Sequence, residues 1–206
     1  MLSPRRAAGF TLVEVMVTVF VVAIGLLAAA GLQALSKKAA FDAIQRTTAT
    51  VLAQDMLERI RANSNPLQIA DYASKGRQLT AAPITAAACG AADGAACSPA
   101  ELVDYDLARW WESLDGASEK IASGGSSTAN SGGLRSPAGC IRSVGNRVDV
   151  VIAWRGMSAI QQAESTDTAD PTSDPCGETP AVADYEKNSS SRQSFRRVLR
   201  LQAHIK

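Results

Sequence analysis

Hydrophobic side chains are concentrated in one uninterrupted segment near the N-terminus, from Phe10 to Leu35. Glu14 is the only charged residue in this segment, and the stretch from Val15 to Ser36 contains no charge at all. A helix of that length spans about 33 Å, which is enough to cross the hydrocarbon core of a bilayer. The pattern therefore predicts a membrane-spanning helix close to the start of the chain.

The helical pattern continues beyond this apolar segment. Residues 36–63 contain no Pro or Gly, and apolar side chains recur at roughly helical spacing at Phe41, Ile44, Leu52, Met56 and Ile60. Pro66 disfavours helix in the residue before it. We therefore predict one helix from Phe10 to Asn63, about 80 Å long, with a transmembrane half at residues 10–36 and an amphipathic half at residues 37–63. An ordinary globular domain has no need for a helix of this length.

The remaining residues, 64–206, predict a small globular head. Residues 64–97 and 116–139 are rich in Ala, Gly and Ser without apolar periodicity, and we interpret both as loops. Ser98-Pro99-Ala100-Glu101 has the pattern of a capping box with Pro in the first turn, so a short helix is predicted over residues 99–114. Trp110 and Trp111 lie on its apolar face and are interpreted as core anchors rather than as a sugar-binding platform.

Alternation of apolar and polar residues predicts strands in the last third of the chain. Residues 140–144 and 147–155 flank Gly145-Asn146, which is typical of a hairpin turn. Residues 195–206 alternate as a half-buried strand, with Arg196 and His204 on its polar face. The predicted fold class is α+β, with a long N-terminal helix packed on a small antiparallel sheet, an extra short helix and long loops.

Composition and charge exclude several function classes. Among 206 residues the formal net charge is +1, so no broad cationic face for nucleic acid is predicted. The single histidine leaves little room for a His-rich metal site or a Ser-His-Asp triad. The sequence also lacks a nucleophile elbow and a Gly-rich phosphate loop, so neither an enzyme nor a cofactor is predicted.

The acidic stretch at residues 163–186 has two interpretations. It contains several acids and no base, and Asp167, Asp170 and Asp174 carry the oxygen ligands that calcium prefers. Their spacing differs from that of an EF-hand loop, and prolines interrupt it. A solvated acidic loop is therefore favoured over a metal site.

The N-terminal segment is compatible with three kinds of targeting sequence. The first is a cleavable secretory signal with small residues at 28–30, and the second is a plain signal anchor. The third is a leader that is cut before the apolar segment, so that this segment stays in the mature protein. In all three, Arg5 and Arg6 favour an N-terminus that remains in the cytoplasm.

Glu14 favours the third alternative. An acidic side chain within a membrane helix costs about 3 kcal/mol, and a generic signal or anchor gains nothing from it. Cleavage between Gly9 and Phe10 would create a cationic α-amino group one helical turn from Glu14, near the positive end of the helix dipole. In an assembly, Glu14 would instead pair with the Phe10 amine of a neighbouring subunit and set the axial register.

The residues from Arg5 to Glu14, RRAAGFTLVE, resemble the leader of type IV pilins and pseudopilins. This resemblance implies cleavage after Gly9 by prepilin peptidase and methylation of the Phe10 amine. It also implies a single-pass inner-membrane protein with a periplasmic head, which is later incorporated into a pilus. N-terminal sequencing distinguishes the alternatives, because a secretory signal would instead give a mature start near Gly31.

Within this superfamily the chain is most similar to minor pilins of the PilV family. The similarity lies in GFTLVEV, LAQDMLERIRANSNP, DYDLARWWESL, VDVVIAW and RRVLRLQAHIK. It implies a role in pilus assembly, priming or a tip complex, in support of adhesion, twitching motility or DNA uptake. The implied partners are prepilin peptidase, other minor pilins, the major pilin and the inner membrane. A minor pseudopilin of type II secretion, with the same leader and fold, is the main alternative, and a membrane-anchored periplasmic enzyme is a third.

Four cysteines follow the membrane segment, where the predicted orientation places them in an oxidising compartment. Three pairings are possible for two disulfides. Locality favours Cys89 with Cys97, and Cys140 with Cys176. A zinc site is disfavoured because no C-x-x-C spacing occurs.

Overall fold

The computed structural model describes residues 9–81, 96–117, 119–122, 128–130, 132–161, 174–177, 185 and 193–205. Its elements are three helices, α1 (Leu12–Ala62), α2 (Pro66–Lys75) and α3 (Pro99–Asp115), and five strands, β1 (Lys120–Ala122), β2 (Thr128–Asn130), β3 (Ala138–Val144), β4 (Arg147–Gln161) and β5 (Gln193–His204). The α+β prediction is confirmed. The chain divides into two compact units, residues 1–41 and residues 42–206.

Helix α1 begins and ends close to the predicted boundaries of Phe10 and Asn63. Gly25 and Gly31 lie within it without interrupting it. Its apolar part, with a mean hydropathy of 2.6 over its most apolar window, is long enough to cross a membrane. In the first unit the large apolar side chains of this helix are exposed, because the described residues of that unit contain no second element to cover them.

In the second unit the main core lies between helices and one face of a sheet. The C-terminal part of α1 contributes Ala49, Ala53, Met56, Leu57 and Ile60, and α3 contributes Val103, Leu107, Trp110, Trp111 and Leu114. Trp110 and Trp111 are thus core residues, as predicted. The indole Nε1 of Trp110 donates to the Leu52 carbonyl at 2.9 Å, and Gly139 leaves room for the ring, since a Cβ there would lie 2.6 Å from it.

The sheet has three antiparallel strands in the order β3-β4-β5. The predicted hairpin is present: β3 and β4 pair from Val144–Arg147 outward across Gly145-Asn146, and Gly145 has a φ of 58°. This left-handed conformation suits glycine. The face of β4 that packs on the helices carries Val148, Val150, Ile152 and Trp154.

The opposite face of the sheet has a core of its own. Ala138, Cys140, Val151 and Ala153 pack there with Cys176 and Tyr185. The Cys140–Cys176 disulfide, with a Cα–Cα distance of 5.9 Å, attaches residues 174–177 to β3. Both faces of the sheet are therefore covered. The alternation of residues 195–206 had predicted that one face is exposed to solvent.

Three predictions about loops and faces are wrong. Residues 66–75 form α2 rather than a loop, since Asn65 is its N-cap, accepting from Leu67 N–H at 3.0 Å, and Pro66 occupies its first turn. The predicted loop 116–139 contains the paired strands β1 and β2. Arg196 was assigned to the polar face of β5 but is buried, because its guanidinium donates to the Asp174 and Cys176 carbonyls.

Candidate processing and assembly site

Helix α1 starts at the residues that the sequence singles out. Gly9, Phe10 and Thr11 precede the helix, and the Thr11 hydroxyl accepts a hydrogen bond from the Glu14 N–H at 3.3 Å. Thr11 is therefore the N-cap of the helix. The sequence contains a signal for this cap, because Thr11-x-x-Glu14 has the spacing of a capping box.

Glu14 lies in the first turn of the helix and is exposed. A carboxylate in this position is stabilised by the positive end of the helix dipole. Among the described residues its carboxylate has no hydrogen-bond or ion-pair partner. In the uncleaved chain the nitrogen of Phe10 is a neutral peptide nitrogen, so the predicted ion pair with Phe10 becomes possible only after cleavage.

Gly9 and Phe10, the predicted cleavage residues, are both accessible. Phe10 is 84% exposed. A Cβ at Gly9 would meet no atom within 4 Å, and the backbone of Gly9 is not in the left-handed conformation that favours glycine. Folding therefore does not require glycine at position 9. A processing enzyme that approaches the backbone closely would instead explain why this residue has no side chain.

The apolar surface that follows is too large to stay in water. The large side chains between residues 12 and 35 that are at least half exposed are Leu12, Val13, Val15, Met16, Val17, Val19, Phe20, Val21, Val22, Ile24, Leu26, Leu27, Leu32 and Leu35. Soluble monomers rarely expose contiguous apolar patches of this kind. This surface requires cover from lipid or from other apolar helices.

In the second unit, a buried carboxylate joins the three helices. Asp106 of α3 is 5% exposed, accepts from Tyr72 Oη of α2 at 2.5 Å, and pairs with Arg59 of α1 at 3.1 Å. Burial, reinforced by the hydrogen bond to Asp106, raises the pKa of Tyr72 above its usual value. Arg59 also pairs with Asp55 of its own helix, at 2.9 Å. No local sequence pattern connects Asp106 with Tyr72, since they are 34 residues apart.

Asp174, one of the three calcium candidates, has other partners. It is buried and forms a two-point ion pair with the guanidinium of Arg142, with one contact at 2.8 Å, and it accepts from Cys176 N–H at 2.9 Å. Asp167 and Asp170 lie outside the described residues. The prediction of a solvated acidic loop is wrong for Asp174. Within the part of the chain that is described, no group of three or more His, Cys, Asp or Glu side chains forms a metal site.

The cysteines agree with the predicted connectivity as far as they are described. Cys140 and Cys176 form the disulfide already described. Cys97 is also disulfide-bonded. Cys89, its predicted partner, lies outside the described residues.

Comparison with known proteins matches two adjacent parts of the chain. Residues 4–30 match the prokaryotic N-terminal methylation motif, and residues 31–108 match the family of Tt1218-like type IV pilins. No curated protein and no solved structure matches the chain. The two matches support the type IV pilin superfamily, whose members are structural subunits with a processed and methylated N-terminus. They do not distinguish among its subfamilies.

Proposed function

We propose that this chain, which carries the methylation motif and a type IV pilin segment, is a minor subunit of a type IV pilus. In this proposal prepilin peptidase cuts after Gly9, and the new Phe10 amine is methylated. The chain then crosses the inner membrane once, with its head in the periplasm, and passes into the pilus with other minor pilins and the major pilin.

The observation that carries the proposal is the arrangement around the start of α1. A glycine that folding does not require lies two residues before the N-cap of the helix, Glu14 lies in the first turn, and an exposed apolar surface follows. A lipid-facing helix explains the apolar surface but not the acid. A helix that leaves the membrane for a bundle of like helices explains both, because Glu14 then has a cationic partner at a neighbour's N-terminus.

The PilV-type assignment rests on finer similarity. The segments LAQDMLERIRANSNP and DYDLARWWESL contribute Arg59 and Asp106, the ion pair that joins α1 to α3. The segments that resemble minor pilins therefore also provide the contact that packs α3 against α1. We propose a role in assembly or priming of the pilus, in support of adhesion and twitching motility.

The test is the N-terminus of the mature protein in its native host. We expect a start at a methylated Phe10 and no cleavage in a host without prepilin peptidase. Gly9→Val should prevent cleavage, whereas Gly25→Val, in the apolar part of the same helix where a Cβ also meets no atom within 4 Å, should be cleaved normally. A mature start at Gly31 would overturn the proposal.

A minor pseudopilin of type II secretion has the same leader and the same fold. The two are separated by the proteins that co-purify with the mature chain after mild cross-linking. Pilus minor subunits and loss of surface pili on deletion are expected. Co-purification with secretion-system subunits, together with retained exoproteins on deletion, would favour the alternative.

A further inference from the structure

A cavity of about 450 Å³ lies between the end of α2 and strand β3 in the second unit. Its lining includes Ala73 and Arg77 on the α2 side, residues 141–144 of β3, and Pro175. Successive side chains of a strand point to opposite faces of the sheet, so a cavity that contacts four consecutive residues lies along the edge of the strand. Since β3 is the outer strand of its sheet, the cavity occupies the place of an additional strand.

The chain itself already uses part of this edge. Gly139 and Leu79 exchange backbone hydrogen bonds of 2.9 and 2.7 Å, and the Ile141 N–H donates to the Gly76 carbonyl at 2.7 Å. Alternate residues of a strand direct their backbone groups to the same side, so Ser143 presents its N–H and C=O at the edge that Gly139 and Ile141 use. Neither group of Ser143 has a hydrogen-bond partner among the described residues. One position of the edge is therefore ready to pair with an extended chain.

The space along this edge is closed at Gly76. The Gly76 N–H donates to the Tyr72 carbonyl at the end of α2, at 2.8 Å, and a Cβ on Gly76 would lie 2.9 Å from Cδ1 of Ile141. A chain that pairs with Ser143 meets Gly76 at the next outward-facing position and has to end or turn there. The end of a polypeptide suits this place better than the middle of one.

The charges at the closed end favour a carboxylate over an amine. Arg77 directly follows Gly76, is exposed, and forms no ion pair within the described part of the chain. Arg142 also lines the cavity, but Asp174 balances its charge. None of the described residues that line the cavity is acidic. Because a guanidinium binds a carboxylate at two points and repels an ammonium group, Arg77 suits a C-terminus.

The rest of the lining suits an apolar side chain. Ala73, Ile141, Val144 and Pro175 contribute hydrocarbon surface to the cavity. Val144 is 68% exposed, although it belongs to the sheet. An aliphatic side chain at the end of the incoming chain would remove part of this apolar surface from water.

Residues 195–205 of a second copy of this chain suit the cavity poorly. They carry three arginines and no acid, so Arg77 would repel them. Ile205 is also buried, and its N–H donates to the Asn146 carbonyl at 2.8 Å, which holds this segment in its own sheet. A different polypeptide is therefore the better occupant.

We propose that this cavity binds the C-terminal segment of another polypeptide in an extended conformation. The backbone of the segment pairs with Ser143, its terminal carboxylate binds Arg77, and its last side chain covers Val144. This combines strand addition at a sheet edge with capture of a terminal carboxylate, two recurring modes of peptide recognition. Such binding does not require the chain to be a pilus subunit, because every contact lies in the second unit.

The first experiment observes the backbone of Ser143 in the full-length protein in detergent micelles. The protein is labelled with ¹³C at the arginine carbonyls and with ¹⁵N at serine. A carbonyl-correlated amide spectrum then contains only Ser136 and Ser143, the serines that follow an arginine, and Ser143→Thr identifies the Ser143 signal. The probe is acetyl-Ser-Thr-Ser-Val with a free carboxylate, and its matched control is the same peptide ending in an amide.

We expect the peptide with the free carboxylate to shift the Ser143 signal saturably and to leave the Ser136 signal in place. The amide peptide should bind about tenfold more weakly, because the charge-assisted contact to Arg77 is missing. An unmoved Ser143 signal, or equal affinity for the two peptides, would overturn the proposal.

Variants then test the role of Arg77. Arg77→Gln should weaken binding of the carboxylate peptide by about tenfold and leave the affinity for the amide peptide unchanged. Arg61→Gln changes an exposed arginine of α1 outside the cavity, and should bind both peptides as the unmodified protein does. Unchanged binding by Arg77→Gln, or equal weakening for both peptides, would overturn the assigned carboxylate contact.

Two further ligands test the kind of occupant. Acetylvaline has the carboxylate and the side chain but too little backbone to pair as a strand, so it should bind more weakly than the peptide. Equal or tighter binding of acetylvaline would overturn strand addition and indicate a site for a small carboxylate. A peptide of residues 201–206 should also bind more weakly, and tighter binding would overturn the assignment to a different polypeptide in favour of a second copy.

Discussion

At the scale of single residues, the contacts of Asp174 show how a buried acid is kept ionised. Its side chain is 1% exposed. Burial raises the pKa of this carboxyl, but the hydrogen bonds from Arg142 and from the Cys176 N–H outweigh burial and hold the pKa below its ordinary value of 3.8. The stabilisation from Asp174 is therefore complete above pH 3.8 and is lost as the pH falls through the lower, folded-state pKa.

Arg142→Gln should raise the pKa of Asp174 and destabilise the head. We expect a loss of about 2 kcal/mol at pH 7, because a buried carboxylate loses its charged partner. The deficit relative to the unmodified protein should shrink as the pH falls below the raised pKa, where the acid is protonated and no longer needs a cation. Urea denaturation of the detergent-solubilised protein, followed by tryptophan fluorescence at several pH values, measures this change.

Arg109→Gln is the matched control for Arg142→Gln. Arg109 is half exposed and pairs with Glu112 on the same helix, so its loss should cost less than about 1 kcal/mol at any pH. A deficit for Arg142→Gln that does not change with pH would contradict the role assigned to Asp174.

Glu14 has two possible roles, and two variants separate them. Glutamine keeps the polar side chain that suits this position of a capping box but removes the charge, whereas alanine removes both. If Glu14 pairs with a neighbour's Phe10 amine, Glu14→Gln and Glu14→Ala should both be processed normally and both be poorly incorporated into pili.

Incorporation is measured by the amount of mature subunit in sheared pili and by co-purification with other minor pilins. Thr11→Ala, which removes the cap but keeps Glu14, is the comparison for helix stability alone. Wild-type incorporation of Glu14→Gln would contradict the charge-pairing hypothesis.

At the scale of elements, three helices are joined through Asp106. Helix α2 begins at Asn65-Pro66, directly after α1, and Tyr72 reaches Asp106 from its first two turns. Helix α3 begins at the predicted capping box, where the Ser98 and Glu101 side chains bond the opposite N–H groups. Local caps set where these helices begin, and the buried carboxylate contributes to how they pack.

Two aspartates of α3 provide a matched comparison. Asp106→Ala should lower the free energy of unfolding by about 3 kcal/mol, since Arg59 and Tyr72 lose a buried acceptor. Asp104→Ala removes only a partly exposed pair with Lys75, and should cost less than about 1 kcal/mol. Urea denaturation of both variants checks the difference, and equal losses would contradict the importance of the buried contact.

At the scale of the whole molecule, the folded head begins within α1 and not after it. The sequence places the head at residues 64–206, but its core includes Ala49, Ala53, Met56, Leu57 and Ile60 of α1. A head without this part of α1 would expose the apolar face of α3 and of the sheet.

We therefore expect a fragment of residues 37–206 to fold as a soluble protein with its disulfides formed under oxidising conditions. A fragment of residues 64–206, produced in the same way, should aggregate or lack cooperative unfolding. Circular dichroism, size-exclusion chromatography and thermal unfolding compare the two. Cooperative folding of the shorter fragment would contradict the contribution assigned to α1.

The sequence alone determined the features that depend on neighbouring residues. The apolar helix, the cap of α3 and the β3–β4 hairpin each depend on a motif of a few residues or on a repeated spacing, and each lies close to its predicted position. Pro66 was ambiguous even at this scale, because proline both disfavours helix before it and suits the first turn of a helix after it.

Only the tertiary structure decided which polar residues are buried. Arg196 and Asp174 were assigned to solvent, and Asp106 and Tyr72 had no assigned role, but all four are buried or form buried contacts. Their environment depends on strand register and on segments far away in sequence, such as residues 174–177 brought onto β3 by Cys140 and Cys176. Alternation and periodicity report only the average face of an element, so they cannot reveal which opposing segment covers it.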